Sequence, residues 1–214
     1  MLPAVYHRLT LGVLQSNCYV VRGHGTSRAA VIDPGGDADK LELWLDTEGL
    51  KPDLVLLTHG HYDHIGAVEH LRARYGALLA AHPDEVTMLR QPTQNMSWFF
   101  NERISLEPPE VLLPDGAIVD CAGSLAEVIH IPGHSQGGIC FRIRGETVPA
   151  LLFTGDVLFA GSVGRSDFPG GCHDRLIKGI REKLLTLPDD TIVLPGHGEK
   201  STIGAERRTN PFLQ

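Results

Sequence analysis

The stretch Thr58-His59-Gly60-His61-Tyr62-Asp63-His64 sets three imidazoles and a carboxylate side by side, directly after the apolar run Leu54-Val55-Leu56-Leu57. Few features constrain a fold more, because such groups are costly to bury unpaired. A turn at the end of a buried strand can bring their side chains round to converge on one or two metal ions. Three separate pieces of the chain can complete such a site. They are His134 in Ile131-Pro132-Gly133-His134-Ser135, Asp156 in Phe153-Thr154-Gly155-Asp156, and His197 in Leu194-Pro195-Gly196-His197-Gly198. Each follows a β-type apolar run and has a glycine beside it, so each is offered at a strand end by a turn that tolerates close approach.

Seven nitrogen and oxygen donors exceed the four of a tetrahedral zinc site, yet they suit two adjacent ions if one carboxylate bridges them. Asp156 is the natural bridge. One ion is then held by His59, His61 and His134, and the other by Asp63, His64 and His197. Two ions roughly 3.5–4 Å apart polarise a carbonyl and bring the pKa of a shared water towards about 7, which yields a hydroxide nucleophile at neutral pH. Asp63 and Asp156 are therefore the catalytic candidates. Ligand type indicates zinc, iron or manganese rather than a soft-metal cluster, and we expect two divalent ions per chain, zinc first among the three. His7, His24, His70, His82, His130 and His173 carry no such pattern and are read as structural. His130, four residues before His134, is expected to be a packed or hydrogen-bonded neighbour.

The 214 residues suit one domain, 1–214, with a large core. A formal net charge of −7, with no basic stripe to offset it, disfavours nucleic acid as a partner. No apolar run approaches bilayer length, and the first residues lack the basic and apolar regions of a secretory signal, so neither a membrane nor export is expected. Cys18, Cys121, Cys140 and Cys172 form no Cys-x-x-Cys pair and fit reduced thiols in a cytoplasmic protein, Cys18 and Cys140 as core residues.

Short β-like runs at Cys18–Val21, Ala29–Ile32, Leu54–Leu57 and Leu78–Ala81 alternate with helical patterns over Asp37–Glu48 and Asp63–Tyr75, stopped by Gly49 and Gly76. A second β-rich set covers Ile118–Asp120, Leu125–His130, Ile139–Ile143 and Leu151–Thr154. A helix at Asp174–Leu185 and a strand at Thr191–Leu194 follow. The order β-rich, helical, β-rich, helical suits an α/β class with two mixed sheets packed face to face and helices outside. In the segment from Pro83 to Pro109, Met88, Met96, Trp98, Phe99 and Phe100 are read as a helix packed on this sandwich in preference to a substrate entrance.

The His-x-His-x-Asp-His motif, followed in order by His134, Asp156 and His197, resembles the metallo-β-lactamase superfamily, and within it the glyoxalase II-like hydrolases. Asp33-Pro34-Gly35-Gly36, Gly164-Arg165-Ser166-Asp167-Phe168 and the closing Asn210-Pro211-Phe212 extend the likeness over nearly the whole chain. The resemblance implies a four-layer αβ/βα sandwich with the metal site at the edge of the two sheets. It further implies hydrolysis of a small-molecule thioester such as S-lactoylglutathione. Arg165, nine residues after Asp156 where those enzymes place a lysine, is the implied substrate-binding residue. Full-length glyoxalase II enzymes add a C-terminal helical domain that grips glutathione, and none is expected here, since about seventeen residues follow His197.

Other branches of the family set alternatives. Persulfide dioxygenases are similar at 164–168 and use one iron on the equivalents of His59, His134 and Asp156. They usually carry cysteine at the position of Val163, and their last motif reads Pro-Ala-His-Asp rather than Pro195-Gly196-His197-Gly198. A lactonase would share all seven ligands. The best-known dinuclear β-lactamases have cysteine where this chain has Asp156, and a metal-binding protein without catalysis would not need the complete set.

Overall fold

The computed structural model describes residues 5–145 and 149–214; of the stretch read for a secretory signal, Met1 to Ala4 lie outside it. Strands β1 (Val5–Leu11), β2 (Ser16–Arg22), β3 (Arg28–Ile32), β4 (Lys51–Leu56), β5 (Leu78–Ala81) and β6 (Val111–Leu112) form one sheet in sequential order. The first three pair antiparallel, and β3 to β6 run parallel. The second sheet takes β7 (Ile118–Cys121), β8 (Ser124–His130), β9 (Ile139–Ile143) and β10 (Leu151–Gly155). After a small ribbon of β11 (Leu158–Phe159) and β12 (Ser162–Val163), it is completed by β13 (Ile192–Pro195) and β14 (Ser201–Thr202). Its order is β14-β13-β10-β9-β8-β7, with β10 and β13 parallel and the other pairs antiparallel.

The apolar runs are continuous rather than alternating because both faces of their strands are covered. Successive side chains go to opposite sides. In β2, Tyr19 and Val21 enter the core between the sheets, while Cys18 and Val20 face the helices. The same division holds in β4 and in β10, where Phe153 points inward and Leu152 outward. Helices α1 (Ala38–Thr47), α2 (Tyr62–Ile65) and α3 (Val68–Tyr75) belong to the first sheet. Its outer face takes Leu41 and Leu45 of α1 and Val68 and Leu71 of α3. The short α4 (Val86–Arg90) buries Met88 and Leu89. On the other side α5 (His173–Gly179), continued by a π-helical turn at Ile180–Leu184, and α6 (Ile203–Thr209) cover the second sheet through Leu176, Ile180 and Ile203. The result is the expected αβ/βα sandwich. Among the described residues no helix is long and apolar enough to cross a membrane.

Two expectations need correction, and one strand had not been foreseen. The helix expected over Asp63–Tyr75 is broken at Gly66-Ala67, because Gly66 lies against the Gly35 carbonyl where a Cβ would overlap it, and the Ala67 N–H is diverted to the Pro34 carbonyl. Strand β1 went unread: its polar His7, Arg8 and Thr10 suit an edge strand that pairs only with β2. The 83–109 segment is not one packed helix. Met96 and Asn101 take left-handed φ values of 70° and 60°, which folds Ser97–Phe100 back as a single 3-10 turn. Met88 is buried, whereas Trp98, Phe99 and Phe100 are exposed, and Met96 and Phe100 line the cleft described below.

Candidate metal centre

The loop after β4 is held by Asp33, at the end of β3. Its Oδ1 accepts the Thr58 N–H at 2.8 Å and its Oδ2 accepts the Thr58 hydroxyl at 2.6 Å. Gly60 donates its N–H to Glu85 Oε2, and Gly137 donates to Glu85 Oε1, both at 2.7 Å. The buried Glu85 carboxylate thus ties the His59–His64 loop to the loop carrying His134. Asp156 leaves β10 beside Gly155, and His197 leaves the parallel neighbour β13 beside Gly196. A Cβ on Gly196 would overlap Asp156 Oδ1, so the close approach of these two turns requires glycine there.

All seven side chains singled out in the sequence meet at this edge, and they divide into two triads. His61 Nδ1 lies 2.9 Å from His134 Nε2, which lies 3.2 Å from His59 Nε2. Across the site, Asp63 Oδ2 stands 2.9 Å from His197 Nε2 and 3.6 Å from His64 Nε2. Asp156 reaches both groups: Oδ1 is 3.4 Å from His64 Nε2, and Oδ2 is 3.6 Å from His134 Nε2 and 3.8 Å from His197 Nε2. Ligand atoms about 2.0–2.1 Å from a tetrahedral ion sit roughly 3.3 Å from one another, so these separations suit ion-holding shells.

Hydrogen bonds outside the cluster decide which way the imidazoles present their lone pairs. His134 Nδ1 lies 2.7 Å from the Arg165 carbonyl, which only accepts, so Nδ1 carries the proton. The Thr58 hydroxyl spends its own proton on Asp33 and accepts from His59 Nδ1 at 3.1 Å. His64 Nδ1 donates to Asp33 Oδ2 at 3.0 Å. When neutral, all three therefore turn Nε2 lone pairs inward, and those of His59 and His134 face each other. Buried His64 Nε2 and Asp156 Oδ1 have no hydrogen-bond partner. Lone pairs opposed at this range repel, and an ion between them removes the repulsion. The donor set fits a dinuclear centre, with outer acceptors fixing ring orientation as is usual for metal-ligating histidine.

The electrostatics agree. Burial first, then the neighbouring imidazoles, drives His59 far below the ordinary histidine value, and burial with His134 brings His61 down to about 3, so both are neutral near neutral pH. Burial alone would raise Asp63 and Asp156, but His64 and His197 outweigh it and hold both carboxylates ionised. His64 is pulled the other way: burial opposes its charge, yet Asp63, Asp156 and Asp33 raise its pKa well above normal. Without an ion those carboxylates therefore keep a proton on His64, the positive charge that a bound cation would replace.

Above the cluster opens a cleft of about 600 Å³ whose walls include Leu14, Tyr62, Met96, Phe100, Phe159 and Phe168. Arg165 also lines it. Its Nε and Nη2 are bonded to the two oxygens of Asp167 at 3.0 and 2.8 Å, and its guanidinium lies 4.3 Å from the Phe168 ring centre. The remaining histidines keep local roles. His82 stacks on His130 with ring centres 4.0 Å apart; its Nδ1 accepts the Asp84 N–H at 3.2 Å, and His130 Nε2 lies 3.0 Å from the Gln136 carbonyl. All four cysteines are unpaired, and Cys18 and Cys140 are buried as expected. Sequence reading did not single out Asp33 or Glu85 for a role at the site. Asp33 stood only within a recognised motif, and Glu85, in Pro83-Asp84-Glu85, looks like a solvated helix start.

Comparison with known proteins bears on this geometry. The metallo-beta-lactamase superfamily pattern matches residues 11–197. Hydroxyacylglutathione hydrolase GloC of Haemophilus influenzae is 39% identical over 205 residues, covering 93% of each chain. The crystal structure of BLEG-1 B3 metallo-beta-lactamase superposes with a TM-score of 0.91 at 39% identity, over 98% of this chain and 100% of that one. That of TTHA1623 in a di-iron-bound form gives 0.83 at 37% identity, over 97% and 100%. ETHE1 from Myxococcus xanthus gives 0.80 at 26% identity, over 97% and 83%. A family pattern over most of its length, a shared fold and a full set of converging donors make this chain a member of the metallo-beta-lactamase superfamily.

Proposed function

We propose that this metallo-hydrolase cleaves thioesters, with S-lactoylglutathione as a representative substrate, using His59, His61 and His134 for one ion and Asp63, His64 and His197 for a second. The observation that carries the reading is the position of Asp156 between two complete triads on the floor of an open cleft. The identity to a hydroxyacylglutathione hydrolase supports the substrate class. Zinc is the proposed metal, with iron as the alternative that the di-iron neighbour favours. The unpaired thiols support a reducing compartment such as the cytoplasm.

Two divalent ions supply, when bound, Lewis acidity at the carbonyl and an acidified water. Asp156 keeps the triads in fixed relation, and with Asp63 it orients the attacking water. The Phe159 and Phe168 walls limit bulk water around the carbonyl. The water oxygen bonds to the carbonyl carbon, the C–S bond breaks, and the thiolate leaves and takes a proton. Arg165, on the cleft wall, is proposed to contact the thiol portion of the substrate.

An oxidoreductase reading, with one iron on His59, His134 and Asp156, draws support from the likeness to ETHE1. Val163 and the Pro195-Gly196-His197-Gly198 ending favour hydrolysis. Metal analysis of protein purified without added metal, coupled to assays of thiol release and oxygen uptake, tests the two. Thiol release from S-lactoylglutathione without oxygen consumption is expected. Oxygen uptake with glutathione persulfide, and no hydrolysis, would move the protein to the oxidoreductase branch.

A further inference from the structure

We propose that the cleft contains a subsite for an apolar acyl group several carbons long, so that the preferred substrates carry an alkyl or aryl substituent on the scissile carbonyl. The inference rests on the thioester reading above and goes beyond it in naming the acyl group. The rings that border the cluster are apolar on both sides. Phe168 packs edge-on to His61, with ring centres 5.4 Å apart, and Phe159 lies 6.3 Å from His197. A carbonyl poised over Asp156 therefore has hydrocarbon within a few bonds of its carbon. Farther out, Tyr62 and Phe100 stack at 4.7 Å with planes 17° apart, and Leu14 from the β1–β2 turn lines the same cleft. Leu14 and Phe100 remain 41% and 40% exposed, which is apolar surface a bound chain would remove from water.

Two of the polar side chains that line the cleft outside the cluster have partners of their own. Ser162 bonds to a backbone carbonyl at 3.5 Å, and both oxygens of Asp167 hold the Arg165 guanidinium. The ring surface adjoining the reaction centre is thus matched to a hydrocarbon chain longer than that of a lactoyl group, and Arg165 is left for the thiol portion. Because the cleft ends on the cluster, its occupant is the substrate rather than a protein partner.

Two measurements on the metal-loaded protein test this. First, calorimetry with non-hydrolysable S-methyl to S-hexyl thioethers of N-acetylcysteamine should show tightening along the series. Each fully buried methylene gives roughly fourfold, so partial burial in an open cleft predicts at least about tenfold from methyl to hexyl. Phe100→Ala and Leu14→Gln, on separate elements, should each flatten the series while the melting temperature stays near wild type. Equal affinity for methyl and hexyl ligands, or an unchanged slope in both variants, would overturn the subsite. Second, kcat/KM for acetyl to hexanoyl thioesters should rise in parallel. A hexyl preference in binding with no thioester cleaved would overturn the reaction and leave the subsite standing. Cleavage indifferent to chain length would do the reverse.

Discussion

Asp33 Oδ2 accepts a hydrogen bond from His64 Nδ1 at 3.0 Å, and the same carboxylate accepts both the N–H and the hydroxyl of Thr58. Through Thr58 it also orients His59, so one buried acid in left-handed backbone at φ 52° sets a ring in each triad. Outer partners of this kind are typically worth 10–100-fold in metal affinity. Asp33→Ala should lose about that much, read by competition with a chromophoric chelator. It should also cost about 1–3 kcal/mol of stability, because the buried Thr58 N–H loses its acceptor. Wild-type metal retention in the variant would sink this role.

Dinuclear occupancy makes a stoichiometric prediction. Metal-replete protein should bind two ions per chain, Asp63→Ala should lose the ion of the His64–His197 side, and Asp156→Ala should be the most damaging single change, since its carboxylate lies near members of both triads. Elemental analysis beside the rate decides it. A replete protein that never exceeds one ion, with Asp63→Ala unchanged in metal and rate, rules out the two-site arrangement.

Glu85 offers a separate test. Its two oxygens accept one backbone N–H from the His59–His64 loop and one from the His134 loop, and burial pushes its pKa up although the Gly60 and Gly137 bonds pull it down. Glu85→Gln keeps one acceptor and sets an amide NH₂ against the other N–H, so about 1–3 kcal/mol of stability should be lost. Metal affinity should fall with it, because the two loops are no longer tied. Denaturant unfolding of the metal-free and metal-loaded variant separates the effects, and a stability loss with unaltered affinity would confine Glu85 to holding the fold.

The convergence of the seven side chains was legible because imidazoles and carboxylates at strand ends are conspicuous beside apolar runs and glycines. The sheets were legible for a related reason: strands covered on both faces, such as β2, read as unbroken apolar stretches. What escaped depends on long-range contacts. Edge strand β1 has no unbroken apolar run, its apolar residues being interrupted by His7, Arg8 and Thr10, and the break at Gly66-Ala67 depends on the Gly35 carbonyl that lies against Gly66 and the Pro34 carbonyl that takes the Ala67 N–H. Asp33 and Glu85 act by accepting N–H groups 25 residues or more away along the chain, which no local pattern announces. Met96 and Phe100 reach the cleft through two left-handed residues that are not glycine, the kind of turn propensity does not foresee.

Arg165 joins two roles that substitution can separate. Its position on the cleft wall suits contact with an anionic thiol portion, while its bidentate pairing with Asp167 and its stacking on Phe168 suit holding the loop. Both partners are about two-thirds exposed, so solvent screens the pair and the guanidinium can turn to a substrate carboxylate without a large penalty. On the binding role, Arg165→Ala raises KM for glutathione thioesters more than for N-acetylcysteamine thioesters, with metal content and melting temperature unchanged. Asp167→Asn then acts in the opposite sense: it frees the fork from its internal competitor and lowers KM for the anionic substrate by a few-fold, an effect that added salt should erase. If both variants instead lose activity equally on charged and neutral thioesters and melt earlier, the pair serves the loop that holds Phe168 against His61 and His134, and the substrate contact must be sought elsewhere.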